Sequence, residues 1–401
     1  MAGEHNKVIN VIFWGMGNTA REKLGKIDKL KSFIRVIGFT SGLNDELTKR
    51  RFFSYKILKP EEITDIEIDY ICLLSIHEWE IRRFLYEIDV SLLRKVISYH
   101  ELFMINEFGT SIECGYEILR EMIPASHQEV LNRRIVYEKL KRKYAYALFD
   151  PGSIEQNGRD ICKKDLTPVY VMWLQGFDAA PEIVHICVDS IKKAMTKEYK
   201  LILLDRNNYV DYIILPEWMV KKWEKGIIPN AHFSDLIRVR LLNTYGGIWI
   251  DSTVYLMEGE IPAEIRGRDF FIYNSQRFRT TFSYDPHIFA NWLIKSNANN
   301  EFMLNTEKLM WAYWKNEDVL ADYSLMHILM RIAFDYKQFI GDKEDIMPMN
   351  TATLLLDELN RPFDRNRFEE IRKLSSVQKL NWKIELSDTE DTVWKYIREC
   401  R

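Results

Sequence analysis

The sequence predicts an α/β protein built from two α/β parts in series. In the first part, short apolar runs alternate with helical patterns, at residues 8–13, 34–39, 70–74 and 96–98. A second series of the same kind begins at Val169 and continues with the run at 201–204. Strands that alternate with helices indicate a parallel sheet with right-handed crossovers.

The pattern divides the chain into three segments. Residues 1–105 carry the first strand–helix series and form the first predicted domain. Residues 106–160 form a predicted helical connector, in which a basic stretch at 133–143 precedes a run of turn residues. Residues 161–401 contain the second series and form the second predicted domain, since a chain of 401 residues exceeds one ordinary core.

Composition excludes several classes of protein. A hydrophobic fraction of 47% beside 29% charged residues is typical of a soluble globular chain. The net charge of -3 gives no basic footprint for nucleic acid, so we expect no nucleic-acid partner. No apolar run reaches the length that spans a bilayer, and we expect a cytoplasmic protein. The basic stretch leaves open a peripheral contact with the inner face of the cell membrane, against a solvated or interdomain helix face.

Five scattered cysteines without paired spacing indicate reduced thiols, which agrees with the cytoplasm: Cys72, Cys114, Cys162, Cys187 and Cys400.

The first predicted strand is followed by a glycine turn, with Gly15 and Gly17 in a GxGxxA pattern before a helix. This turn is of the dinucleotide-binding type, so residues 1–105 resemble a Rossmann-like domain. A nicotinamide enzyme would need an acid at the end of the second strand, and residues 38–42 supply none.

The central stretch 232–254 suggests a ligand site. We expect Ser234 to cap a helix that ends at Gly246, after which Gly247 turns the chain into a strand at 248–250. Asp251 then lies at the carboxyl end of that strand, where ligands bind in open α/β sheets.

Helical spacing defines the partners of this aspartate. Asp235 and Arg238 are three residues apart and share one face of the helix. Arg240 points about 200° away from Arg238, and we expect it to be solvated. A carboxylate near an arginine suits a sugar diphosphate, because arginine binds phosphate oxygens and the carboxylate can hold a cation or a sugar hydroxyl.

The stretch from Ser234 to Asp251 matches the pattern SDxxRxxxLxxxGGxxxD. It resembles the signature of capsular polysaccharide synthesis glycosyltransferases, which are related to the DXD-type sugar transferases that include initiating mannosyltransferases and clostridial glucosylating toxins. Four further segments are similar to that family, at 171–193, 289–303, 313–327 and 377–384. The resemblance covers about residues 165–390.

The resemblance implies a GT-A glycosyltransferase domain after the Rossmann-like domain. It implies a nucleoside-diphosphate sugar as donor and a lipid-linked or polymeric glycan as acceptor, in the synthesis of a capsular or other surface polysaccharide. Asp235, Arg238 and Asp251 would form the catalytic group, with Asp251 at a metal ion or the ribose. The donor would also contact the following residues: Trp173, Gln175, Gly246, Gly247 and Thr253.

One departure from the wider superfamily affects the metal. Thr253 stands where the DXD motif has its second aspartate, and a hydroxyl is a poorer cation ligand than a carboxylate. The sequence leaves open whether Mn²⁺ or Mg²⁺ binds at Asp251. It also leaves two alternatives to the transferase, which are an inactive nucleotide-sugar-binding scaffold and an NAD(P)-dependent redox enzyme that uses Gly15 and Gly17.

Overall fold

The computed structural model describes residues 8–41, 51–150, 166–274, 285–337, 346–387 and 391–399. By its contacts the chain divides into two compact units, unit 1 at Met1–Pro151 and unit 2 at Gly152–Arg401. Both units contain a sheet flanked by helices, so the predicted α/β class is confirmed. The domain bounds 1–105, 106–160 and 161–401 stay predictions.

Unit 1 carries five strands and six helices among its described residues. The elements are β1 (Ile9–Trp14), α1 (Asn18–Ile27), β2 (Ile34–Thr40), β3 (Ile57–Leu58), β4 (Tyr70–Leu73), α2 (Glu78–Ile88), β5 (Val96–Ser98), α3 (Tyr99–Phe108), α4 (Ile112–Met122), α5 (Ala125–Tyr144) and α6 (Tyr146–Phe149). The strands form a parallel sheet in the order β3-β2-β1-β4-β5. The predicted parallel arrangement is confirmed.

The turn after β1 shows why a glycine stands at its start. Gly15 has φ +122°, and a Cβ there would lie 2.6 Å from the backbone oxygen of Leu74. A Cβ at Gly17 would meet no heavy atom within 4 Å. The first glycine is therefore required by the close approach of the segment that follows β4, whether or not the turn binds a nucleotide.

The basic stretch 133–143 lies within α5, and four of its charges are paired inside unit 1. Lys141 bridges Glu78 and Glu138 at 3.0 and 3.1 Å and is 7% exposed. Arg142 pairs with Glu101 at 3.1 Å. Arg133 and Arg134 pair with acids one helical turn away. All four cations are paired with acids of unit 1, so the membrane contact that the sequence left open gains no support from them.

Unit 2 carries eight strands and nine helices among its described residues. They are β6 (Thr167–Met172), α7 (Glu182–Lys193), β7 (Tyr199–Leu204), α8 (Glu217–Glu224), α9 (Asn230–Tyr245), β8 (Gly247–Ile250), β9 (Val254–Leu256), α10 (Ala263–Arg266), β10 (Phe270–Asn274), β11 (Phe289–Ser296), α11 (Glu301–Asn316), α12 (Leu325–Lys337), β12 (Ile346–Pro348), α13 (Leu354–Glu358), α14 (Arg365–Leu374), β13 (Val377–Lys379) and α15 (Val393–Glu399). Among the described residues of the whole chain, none of the helices is long and apolar enough to cross a membrane.

The main sheet of unit 2 is mixed, in the order β12-β10-β11-β8-β6-β7. Strands β6, β7 and β8 run parallel, whereas β11 pairs antiparallel with both β8 and β10. The carboxyl ends of β6, β7 and β8 therefore meet the start of β11 at one edge of the sheet. A small second sheet pairs β13 with β9 in antiparallel fashion.

Helix α9 leads directly into β8 through two glycines. Gly246 has φ +68° and Gly247 has φ +105°. A Cβ at Gly247 would lie 2.4 Å from the backbone oxygen of Pro168, the second residue of β6. The helix begins at Asn230 with Pro229 as its N-cap, so the prediction that Ser234 caps it is wrong. The turn puts Asp251 directly after a central strand of the sheet.

We expect Gly247→Ala to lower the melting temperature of unit 2. The added Cβ would overlap β6, and the residue would keep a positive φ that costs an alanine about 1–2 kcal/mol before the steric clash. The matched control is Gly226→Ala, since Gly226 has φ +74° but no heavy atom within 4 Å of a Cβ. Equal decreases in the melting temperature of the two variants, measured by calorimetry, would contradict the role of the close approach between Gly247 and Pro168.

Candidate active site

Asp251 is held at the edge of the sheet by the two strands beside it, β8 and β11. It follows β8, and its backbone N–H donates to the oxygen of Trp292 on β11 at 2.8 Å. About a quarter of its side chain is exposed, at 25%. The strand that the sequence predicted before Asp251 thus delivers the carboxylate to the edge where the parallel strands end.

Three donors from different elements bind the Asp251 carboxylate. Oδ1 accepts from Trp249 Nε1 at 2.9 Å and from Arg238 Nη2 at 3.1 Å. Oδ2 accepts from Lys379 Nζ at 3.0 Å. Burial by itself would raise the pKa of the Asp251 carboxyl, but Lys379 and Arg238 together lower that pKa below its ordinary value. The carboxylate is therefore ionised and neutralised by protein cations.

The guanidinium group of Arg238 binds acceptors within the protein. Its Nη1 donates to the backbone oxygen of Asn291 at 2.7 Å and lies 3.1 Å from Asp235 Oδ1, while Nη2 donates to Asp251. Its Cζ lies 4.7 Å from the ring centroid of Trp249, and the side chain is 5% exposed. Arg238 and Asp235 are in contact, as their spacing predicted, but both Nη groups of the arginine are already occupied by protein acceptors.

Asp235 is a buried carboxyl with an unusual charge state. Its side chain is 11% exposed, and Oδ1 accepts from Asn291 Nδ2 at 3.1 Å. Burial raises the pKa of Asp235 to about 7, against the opposing effect of Arg238. His232 lies 3.8 Å away, and burial lowers its pKa to about 4, so this imidazole is neutral at physiological pH.

Arg240 is buried, so the prediction that it is solvated is wrong. It is 3% exposed and lies 3.5 Å from Glu307 on α11, which is 1% exposed. Asn243 Nδ2 donates to the other oxygen of Glu307 at 2.7 Å. Eleven of the sixteen residues of α9 are buried, because α11 covers the face that the spacing had assigned to solvent.

Lys379 belongs to the site but could not be predicted from spacing in the sequence. Besides Asp251, its Nζ donates to Thr253 Oγ1 at 2.5 Å. The pairing of β13 with β9 sets Lys379 opposite Val254, next to that threonine. The segment 377–384 carried only a family likeness, and no spacing rule links residues 251 and 379. Asn291 was also missed, because β11 was not predicted as a strand.

The residues around Asp251 do not fit a divalent cation. Both carboxylate oxygens already accept from cationic side chains, and Thr253 contributes a neutral hydroxyl that itself binds Lys379. Within the described ranges, no group of three or more His, Cys, Asp or Glu residues could hold a metal ion. Direct coordination by Asp251 would require a third positive charge beside Arg238 and Lys379, which their repulsion opposes.

The remaining predicted donor residues occupy separate places. Trp173 follows β6 and meets Trp382 edge to face, with ring centroids 5.6 Å apart. Gln175 is exposed two residues further on. Both lie beyond the carboxyl end of β6, which is compatible with the predicted contact to a nucleotide. Gly15 and Gly17 belong to unit 1 and stay a predicted nucleotide turn.

Two family models match the sequence. One, described as capsular polysaccharide synthesis protein, matches residues 118–397, which is more than half of the chain. The other, described as C2185-like, N-terminal, matches residues 7–97. The first match includes all of the residues that surround Asp251.

Individual relatives match less of the chain. An O-glycosyltransferase of Annulohypoxylon truncatum, braB, is 30% identical over 96 residues, which is 22% of this chain and 23% of the relative. The match thus spans less than a quarter of the length of that curated relative. Among solved structures, the PaToxG glycosyltransferase is 11% identical and has a TM-score of 0.28, over 68% of this chain and 97% of that one.

We expect Arg240→Met to destabilise unit 2 by about 3–5 kcal/mol, because it leaves the buried Glu307 without its cation. Burial already raises the pKa of Glu307, and Arg240 opposes that rise. The control is Arg331→Met, whose pair with Asp335 is 23% exposed on both sides and is worth about 1 kcal/mol or less. Similar shifts in melting temperature for the two variants would contradict a structural role for Arg240.

Asp235 makes the stability of the folded protein depend on pH, in a direction that follows from its pKa. Its folded pKa of about 7 lies above the ordinary value of 3.8, so the folded state retains a proton that the unfolded chain releases. This contribution to stability is present at acidic pH and is lost as pH rises through the interval between those two values. Asp235→Asn cannot titrate.

The melting temperature of Asp235→Asn relative to wild type should therefore rise between about pH 5 and pH 8 and then level off. Measuring both proteins across that range by thermal unfolding tests the shift, and other titrating groups cancel in the difference. A difference that stays constant with pH would show that Asp235 has an ordinary pKa.

Proposed function

The chain belongs to the family of capsular polysaccharide synthesis proteins, and from that premise we propose that it is a glycosyltransferase. It transfers a sugar from a nucleoside-diphosphate sugar to a lipid-linked or polymeric glycan acceptor. The family match over residues 118–397 and the partial likeness to an O-glycosyltransferase support this activity. Unit 2 carries the reaction.

The observation that carries the proposal is the cluster formed by Asp251, Arg238 and Lys379, called the Asp251 cluster below. Its three side chains come from three elements and meet at the carboxyl ends of parallel strands. One carboxylate and two cations leave a net positive charge of one at this edge. A diphosphate is the substrate group that such a charge favours, and the exposed quarter of Asp251 and of Lys379 gives it access.

The chemistry of transfer fits this arrangement. A hydroxyl of the acceptor forms a bond to the anomeric carbon of the donor sugar, and the bond from that carbon to the diphosphate oxygen breaks. The electron pair of the broken bond leaves with the nucleoside diphosphate, and the hydroxyl proton passes to solvent or to a base. A preorganised cation at the leaving oxygen, for which Lys379 is the exposed candidate, stabilises the charge that develops there.

We assign separate roles to the residues at the edge. Asp251 orients the two cations and offers its exposed part to the donor, while Arg238 is a positioning residue because its Nη groups hold Asp251, Asp235 and the oxygen of Asn291. Trp173 lies beyond the end of β6, in a position to contact the nucleotide base. Gly246 and Gly247 act through the backbone turn that places these groups.

The comparisons favour neither of the two alternatives that the sequence raised. For the redox enzyme, β2 ends at Thr40, and residues 38–41 contain no acid that would bind a ribose. For the inactive scaffold, the Asp251 cluster retains the charges that a leaving diphosphate needs. The cytoplasmic location stays a prediction, and Cys72, Cys114 and Cys187 are free cysteines in the described part of the chain.

We expect Asp251→Asn to lower transfer by about a hundredfold or more, because the amide no longer neutralises two cations or holds them in place. The test incubates the protein with a panel of nucleoside-diphosphate sugars, with water as the acceptor of the sugar, and measures the release of nucleoside diphosphate. Asp211→Asn is the matched control, since it removes the same charge from an exposed residue of unit 2.

Release by wild type and by Asp211→Asn, with loss only in Asp251→Asn, is the result that the proposal requires. Equal release from all three proteins would place the reaction elsewhere in the chain. No release from any donor, in the presence and absence of Mn²⁺, would overturn the transferase itself.

A further inference from the structure

Lys379 lies between the two positions, 251 and 253, that correspond to the two aspartates of the DXD motif. Its ammonium group bridges residue 251 and residue 253, the two ends of the motif, at 3.0 Å from Asp251 Oδ2 and 2.5 Å from Thr253 Oγ1. Thr253 is thus not only a poorer ligand for a metal. Its hydroxyl accepts a hydrogen bond from the ammonium group without adding a second negative charge.

We propose that Lys379 replaces the divalent cation, so that this chain binds the donor diphosphate without metal. The inference rests on the proposed function and deepens it, because it assigns the leaving-group cation to a side chain. An ammonium group has three N–H donors. Asp251 and Thr253 accept from two of them, and among the described residues the third meets no acceptor, which leaves it for a phosphate oxygen.

The backbone around Lys379 fixes its position. Its own N–H donates to the oxygen of Ala352 at 2.6 Å, and the next residue, Leu380, donates to the oxygen of Thr253 at 2.8 Å. The preceding residue, Gln378, is fully buried and donates to the oxygens of Thr351 and Ser375. A surface lysine would lose side-chain entropy on binding a phosphate, whereas this one is already ordered by its strand.

Charge at the site favours an ammonium over a metal. The single carboxylate of Asp251 is shared between Arg238 and Lys379, and Thr253 adds no charge. A divalent ion would enter a site in which Arg238 and Lys379 already neutralise Asp251, and it would have to displace Lys379 to reach Asp251 Oδ2. The dianion of a diphosphate meets no such opposition.

The test measures the binding of UDP, GDP, ADP, CDP and dTDP by calorimetry, in excess EDTA and in Mn²⁺. We expect wild type to bind at least one of them with the same affinity under both conditions. Lys379→Met should weaken that binding about tenfold or more, since it removes a charge-assisted hydrogen bond. Lys379→Arg keeps a cation and should retain metal-free binding, and it also guards against a folding defect in the methionine variant.

Two further variants distinguish a specific role of Lys379 from a general effect of positive charge on binding. Lys373→Met removes an equal charge from an exposed residue of α14 and should bind as wild type does. The double variant Lys379→Met with Thr253→Asp restores two carboxylates and removes the internal cation, so its binding should return only in Mn²⁺. That gain of metal dependence is a readout that a merely structural lysine would not produce.

The outcomes distinguish this inference from the proposed function. Binding by wild type only in Mn²⁺, or unchanged metal-free binding in a folded Lys379→Met, would overturn the role of Lys379 and leave the transferase in place. The absence of binding to any nucleoside diphosphate under both conditions would overturn the proposed function and this inference together.

Discussion

The carboxylate of Asp251 is neutralised by an arginine 13 residues before it and by a lysine 128 residues after it. Each cation is positioned by a different piece of backbone geometry. The double-glycine turn fixes α9 against β8 and so sets Arg238 beside the strand end. The pairing of β13 with β9 fixes the register of Lys379. Because one carboxylate joins the two, a shift in either the helix or the small sheet would change the charge that the edge presents to a ligand.

The local half of this site could be predicted from sequence, and the distant half could not. Asp235, Arg238 and Asp251 lie within seventeen consecutive residues, where helical spacing and the end of an apolar run determine their relative positions. Lys379 reaches the site only through a strand pairing that depends on the whole of unit 2. Strand pairing between segments so far apart leaves no periodic signal, so the segment around Lys379 could be linked to the site by likeness alone.

Arg240 and strand β11 of unit 2 were not predicted correctly, and both cases have one physical cause, which is burial on more than one side. Arg240 was expected in solvent because one face of an amphipathic helix usually faces water, but α11 covers that face and supplies Glu307 as a partner. Strand β11 is buried between β8 and β10, and six of its eight residues are buried, so it lacks the alternation of a half-exposed strand. The apolar parallel strands β1, β2, β4, β6 and β8 were found because their buried runs were short and bounded by turns.

The charge of the site depends on one further proton, that of Asp235. When this buried carboxyl is neutral, Arg238 and Lys379 outnumber the carboxylate of Asp251 by one, and the edge is cationic. When it is ionised, it pairs with Arg238 Nη1 while Asp251 pairs with Nη2, and it brings the sum to zero. Burial raises the pKa of Asp235 to about 7, so both states are populated near neutrality. The proposed diphosphate would add negative charge at this edge, and elementary electrostatics would then favour the neutral state of Asp235.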